Sequence, residues 1–235
     1  MKTLITMSPG FPGTFTSLDL MGKKDALKFI FDLPLAYRPG TRFIYNNASP
    51  HLVSAIIKKT TGSDTLDYAG KKLFEPLDLS VSTWAADQEG IHNGGAGLCL
   101  TPFEMYKFGY LYLRDGVWNG NQIVPEEWVK TSTLEHISRF NMNTAERSGY
   151  GYFWWMNSFG GFSAHGNGGQ YLFVIPKLDM VAVFTGNLVN KDFTVPYKLM
   201  KDYIVPATTS KPLPENPLSQ SELYTLTKEF EEPQN

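Results

Sequence analysis

Tyr45, Asn46 and Asn47 stand where a turn-forming segment, YRPGTRFIYNN, gives way to a helical pattern. A phenol and a carboxamide projected together from such a boundary can do acid–base and orienting chemistry. The phenolate takes a proton and the amide holds a carbonyl. The same residues also fit a structural role, with Tyr45 as a strand aromatic and Asn47 as a helix N-cap. A second cluster, His165-Gly166-Asn167-Gly168-Gly169-Gln170, precedes an apolar strand. His165 is its titratable group. Gly166, Asn167, Gly168 and Gly169 either let a substrate or another backbone lie against the strand edge or form a plain glycine-rich turn.

Other chemistries have less support. HExxH, paired CxxC, Walker and strand-linked GxGxxG patterns do not occur, so no metal or organic cofactor is implied. Gly161-Phe162-Ser163-Ala164-His165 approaches a GxSxG nucleophile elbow, but it ends in His and lies in a strand-like segment. His51, His92, His136 and His165 lack metal-ligand spacing, and His51 and His136 read as structural. Cys99, between two leucines, reads as a small buried hydrophobe rather than as a nucleophile served by His92. The Asn47-Ala48-Ser49 sequon is followed by proline at a helix start, a poor glycosylation acceptor.

The elements that must position these residues can be read from periodicity and punctuation. KKDALKFIFDLP predicts a short helix ending near Asp32, and Pro39-Gly40 a turn before a β-prone run from Arg42 to Tyr45. ASPHLVSAIIKKTTG predicts an amphipathic helix burying Leu52, Ala55, Ile56 and Lys59 and stopped by Gly62. A further helix is expected from Thr65 to Phe74, then a strand-like VSTW at 81–84 and a glycine-rich loop, HNGGAGLCLT, suited to close backbone approach. Thr101 caps a helix opening at Pro102, Asn119-Gly120 marks a tight turn, and PEEWVKTS a short helix.

Beyond Tyr150 the texture becomes aromatic, β-branched and glycine-broken, which predicts consecutive antiparallel strands. YLFVIP and MVAVFTG, joined by Lys177, Leu178 and Asp179, form a hairpin whose uniform apolarity requires helices on both faces. VPYKLMKDYIV is a closing helix, followed by a Pro-rich acidic tail with one helical segment. Helices first and an antiparallel sheet last make an α+β fold, divided into a domain over 1–205 and a tail over 206–235.

Composition narrows the partners. With 42% hydrophobic residues, 21 Lys plus Arg, 23 Asp plus Glu and a formal net charge of -2, the chain is globular and poorly suited to nucleic acid. Its single cysteine excludes an internal disulfide. No apolar run approaches the roughly 20 residues of a membrane span, and the N-terminus is too short in apolar residues for a secretory signal. The compartment stays open: cytoplasmic if Met1 is the natural start, with export through a missing N-terminal signal as the alternative.

These pieces together resemble the β-lactamase-related serine hydrolases: class C β-lactamases, DD-peptidases and family VIII esterases and amide hydrolases. LITMSPGF, the YRPGTRFIYNNASPHLVSAIIKKTTG block, GGAGLCLTPFEMYKFGYLYLRDGVWNG and the GNGGQ strand with its hairpin carry the resemblance across nearly all of 1–205. It implies a β-lactamase/transpeptidase-like fold and hydrolysis of a small ester, amide or D-peptide substrate through a serine acyl-enzyme. Tyr45 would help shuttle the serine proton and Asn47 would contact the substrate amide or ester. Ala164-His165-Gly166 or His165-Gly166-Asn167 would occupy the place of the family's Lys-Thr-Gly strand motif; lysine is absent at either register, which favours the esterase, amidase or peptidase branches.

One family element has no counterpart. The chemistry starts from a serine followed three positions later by lysine, and no serine here has that spacing. Only Thr208 with Lys211 and Thr225 with Lys228 do, both in the tail. The resemblance places the nucleophile helix well before Tyr45, so the chain is expected to begin after it, to be inactive alone and to leave a sheet edge open for self-association. The alternative is a non-catalytic binding domain that keeps the pocket wall.

Overall fold

The computed structural model describes residues 1–81, 83–138, 147–188, 194–209 and 215–231. Its first half is helical: α1 (Lys2–Ile5), α2 (Ser17–Met21), α3 (Ala26–Phe31), α4 (Ala48–Thr61), α5 (Thr65–Ala69) and α6 (Pro102–Leu113). A small hairpin of β1 (Val117–Trp118) and β2 (Asn121–Gln122) and helix α7 (Glu126–Ser132) lead into a six-stranded sheet. That sheet is a meander of β3 (Ile137–Ser138), β4 (Arg147–Tyr150), β5 (Trp155–Asn157), β6 (Phe162–Gly166), β7 (Gln170–Ile175) and β8 (Met180–Phe184), each antiparallel to the next. Helices α8 (Val195–Leu199), α9 (Val205–Ala207) and α10 (Pro217–Glu231) close the chain, with a π-helical turn, Met200–Ile204, joining the first two. The α+β order expected from sequence is the order observed.

Both faces of the sheet are covered, as the uniform apolarity of its last two strands requires. Successive strand side chains point to opposite faces. On one face Leu172 and Val174 of β7 join Tyr112 of α6, Trp154 and Phe162 in one core. Gly109 lets α6 settle closely on the sheet, for a Cβ there would lie 2.6 Å from Leu172 Cδ1 and 2.8 Å from Val181 Cγ1. On the opposite face Tyr171, Phe173 and Ile175 pack against Tyr197 and Met200 of the closing helix. Each fully buried aromatic or aliphatic side chain contributes roughly 1.5–3 kcal/mol, so β7, buried from Tyr171 to Ile175, anchors the architecture.

Local chemistry explains the boundaries. Thr101 and Glu104 form a reciprocal capping box at the start of α6. Gly62 ends α4 at φ +74°, and Asn119 and Gly120 take the left-handed conformations of a tight hairpin.

Three local expectations are corrected. Arg42 to Tyr45 is not a strand: among the described residues no strand lies alongside it, and it is held by the Ile44 N–H on the Met7 carbonyl (2.8 Å) and by Phe43 and Tyr45 packing on Trp155. Within 81–84, of which residue 82 lies outside the described residues, only Trp84 pairs, as an isolated bridge to Leu98; its indole N–H donates to the Asn93 carbonyl. Helix α4 buries Ala48, Ser49, Pro50, His51, Leu52 and Ser54 while Lys59 is exposed. Its N-terminal half enters the molecule and its C-terminal half emerges, so burial follows position along the axis rather than one stripe.

Candidate active site

The entry of the chain into α4 is built by three consecutive side chains with different tasks. Asn46, fully buried, accepts the Ser49 N–H on Oδ1 (2.8 Å) and donates Nδ2 to the Ile44 carbonyl (2.7 Å). It does the capping that sequence reading offered to Asn47. Asn47 instead places its own N–H (3.0 Å) and its Nδ2 (3.1 Å) on the Phe15 carbonyl. Tyr45 is half-buried and stacks on Trp155, with ring centroids 5.3 Å apart and planes 26° apart.

The glycine-rich loop after Ile91 makes the close approach its composition predicts. A Cβ on Gly94 would collide with the Pro50 carbonyl, and one on Gly95 would come within 2.5 Å of Asn47 Oδ1. These two glycines let the loop seat against the first turn of α4 and against the Asn47 carboxamide. Asn93, buried beneath, donates its N–H to Ala85 (2.7 Å) and accepts the Gly95 N–H (3.0 Å).

Strands β5 and β6 bring the second cluster to the same place. His165 stacks on Trp155 at 5.5 Å and 12° and leans on Tyr171 at 4.3 Å. Tyr45 and His165, 120 positions apart in sequence, thus both stack on one indole. His165 Nε2 lies 2.7 Å from Ser163 Oγ, and that hydroxyl is 2.7 Å from Asn157 Oδ1. Gly166 pairs with Gln170 at the end of the ladder. Asn167, Gly168 and Gly169 form the turn between β6 and β7, with φ of +81° at Gly168 and +98° at Gly169. The Leu188 N–H rests on the Gly168 carbonyl (2.8 Å), and Gln170 Nε2 donates to the Gly186 carbonyl (2.6 Å).

The remaining singled-out groups lie elsewhere. His51, fully buried, pairs through Nε2 with Asp87 Oδ2 at 3.1 Å. His92 faces Asp64 at 3.6 Å, and the His136 ring is 2.8 Å from the Thr131 carbonyl. Cys99 is exposed, correcting the expectation of a buried thiol: its segment lies on the surface, flanked by half-buried leucines. Thr225, on exposed α10, gives its hydroxyl to the Ser221 carbonyl, and Lys228 lies over the Tyr224 ring; Lys211 is outside the described residues. Among the described residues no group of three or more His, Cys, Asp and Glu could hold a metal, and no helix is long and apolar enough to cross a membrane.

The family model for beta-lactamase matches residues 1–205. The chain belongs to that family. The 6-aminohexanoate-dimer hydrolase of Paenarthrobacter ureafaciens is 27% identical over 149 residues, covering 60% of this chain and 38% of that protein. Among solved structures, a Bacillus anthracis protein assigned provisionally to the 6-aminohexanoate-dimer hydrolases superposes with a TM-score of 0.72 at 22% identity, covering 88% of this chain and 60% of that one. The octameric penicillin-binding protein homologue of Pyrococcus abyssi gives a TM-score of 0.65 at 20% identity, over 90% of this chain and 57% of that one. These likenesses establish a β-lactamase/transpeptidase-like fold. The chain spans about half or less of the length of the curated relatives it matches, 52% and 38% in two cases.

Sequence reading missed Trp155, weighed Ser163 only as part of a failed nucleophile elbow, missed Asn157, and gave Asn46 no task of its own. The strand alternation that puts Ser163 and His165 on one face, with Trp155 directly across from Ser163, is a period-two signal that could have found the first two.

Proposed function

We propose that this chain is the pocket wall of a serine hydrolase that cleaves a small ester, amide or D-peptide substrate through an acyl-enzyme. Tyr45 serves the proton transfers, Asn47 contacts the substrate carbonyl or amide, and His165 with Gly166, Asn167, Gly168 and Gly169 forms the adjoining wall. The observation that carries this reading is the shared stacking of Tyr45 and His165 on Trp155, which holds a phenol and an imidazole against one indole in a chain that matches the family over residues 1–205. The wall does not supply a nucleophile: none of its serines has a lysine three positions on, and the buried Ser163 is engaged by Asn157 and His165. The chain alone is therefore inactive in acyl transfer, and β8, the last strand of the sheet among the described residues, leaves an edge available for self-association.

A binding role without catalysis is favoured by one specific observation, the absence of Ser-x-x-Lys from the sequence. The two readings separate in a protein that carries the wall together with a Ser-x-x-Lys segment. Turnover of a chromogenic ester or amide there, abolished by replacing that serine, supports the hydrolase; a ligand that shifts Trp155 fluorescence with no turnover supports binding alone.

A further inference from the structure

Asn157 of β5 and Ser163 and His165 of β6 form a short relay on one face of the sheet. Ser163 is directly opposite Trp155 in the ladder, and Asn157 is two residues beyond Trp155, so strand alternation places all of them on the face where His165 stacks. Ser163 is completely buried and Asn157 nearly so, and the hydroxyl sits 2.7 Å from each neighbour. A serine within reach of a histidine with a third group orienting it has the outline of a nucleophile–base pair. Burial removes that role here, because a substrate carbonyl has no approach to an oxygen with no exposed surface.

The hydroxyl has one proton, and this constrains the ring. With Asn157 Oδ1 facing Ser163, the hydroxyl donates to the amide, so His165 must carry a hydrogen on Nε2 and donate it to Oγ. Turning the amide over reverses the relay: Nδ2 donates to Oγ, the hydroxyl donates to a bare Nε2, and the ring proton resides on Nδ1. In the first orientation Asn157 Nδ2 is buried without a hydrogen-bond partner among the described residues. The amide orientation and the imidazole tautomer are thus one coupled choice.

We propose that Ser163, oriented by Asn157, is a positioning residue for His165: its hydroxyl takes up Nε2 and so fixes the tautomer and the direction of the imidazole beside Trp155. The chemical significance of this rests on reading His165 as part of the hydrolase wall, but the positioning itself does not. Imidazole nitrogen shifts of the 235-residue chain, recorded with 15N-labelled histidine, read it directly.

The parent is expected to show one dominant tautomer at His165, by about tenfold, the worth of one hydrogen bond. Ser163→Ala lowers that preference several-fold, while Ser163→Thr, which keeps the oxygen, restores it. A merely structural serine would leave the nitrogen shifts in place, and unchanged shifts in Ser163→Ala would overturn the proposal. If Ser163→Ala does not fold, Ser163→Cys keeps the volume with a weaker donor and acceptor; an intermediate mixture supports the relay and an unaltered tautomer overturns it. A tautomer that responds as expected, in a protein whose turnover is indifferent to His165→Ala, would leave the relay standing and refute the catalytic reading of the wall.

Discussion

Asp87 shows how much a single side chain organises around the α4 entry. Its Oδ1 accepts the N–H groups of Glu89 (2.9 Å) and Ile91 (2.8 Å) while Oδ2 faces His51, and the two side chains are 1% and 0% exposed. Removing one partner of a buried pair leaves the other uncompensated. Asp87→Ala, which strips His51 Nε2 and the Glu89 and Ile91 N–H groups of their buried acceptor, should therefore cost at least about 1–3 kcal/mol in urea unfolding. Lys28→Ala, which breaks a solvent-exposed pair with Asp32, should leave the urea midpoint nearly unchanged; similar losses for both would contradict this placement. At Tyr45 the ring packs on Trp155, and the proposed function assigns the proton transfer to the hydroxyl. Tyr45→Phe should keep the parent's unfolding midpoint, and in a protein carrying the nucleophile it should lower kcat by about 10²–10⁴-fold, the range of a lost acid–base group. Undiminished turnover would remove Tyr45 from the mechanism. The residue types of the candidate site were legible in the sequence: Tyr45, Asn47 and His165 stand out as polar groups at loop boundaries. Their hydrogen bonds were not, because whether Asn46 or Asn47 caps α4 depends on the position of the Phe15 carbonyl, which is set by tertiary packing.

Among the elements, α6 carries its own pH dependence. Burial works to raise the Glu104 carboxyl, but the N–H groups of Thr101 and Ser80, the Thr101 hydroxyl and Lys107 outweigh it and hold the group below its ordinary range. A carboxyl depressed by folding adds stability above its unfolded pKa and loses it as pH falls through the folded value. Glu104→Gln should therefore lower the thermal midpoint at pH 7, with the gap to the parent closing in acid. A constant gap from pH 7 to 3 would contradict the assignment. The capping box behind this, Thr101 to Glu104, was visible in the sequence as Thr-Pro-Phe-Glu. So were the β7–β8 hairpin and its two helical covers, since patterns closed by local turns and uniform apolarity need no tertiary information. The Arg42 to Tyr45 segment misled because β propensity reports a fit to a pleated neighbour, and here the neighbours are aromatic rings rather than a strand.

For the whole molecule, the open question is what meets β8. It ends the sheet among the described residues and carries five apolar residues in a row, Met180 to Phe184, without a charge to blunt the edge. Sedimentation velocity should show the chain associating as its concentration rises. Ala182→Lys, a charge in the middle of that strand, should shift it towards monomer, whereas a parent that stays monomeric throughout would contradict an available edge. The central claim, that this family member presents a hydrolase wall without a nucleophile, has a more direct test. The purified chain is incubated with a fluorophosphonate probe and, separately, with a penicillin, and its intact mass is measured. An unchanged mass in both is the predicted result; a stoichiometric adduct mapped to one serine would contradict the account and make that serine the centre of the mechanism.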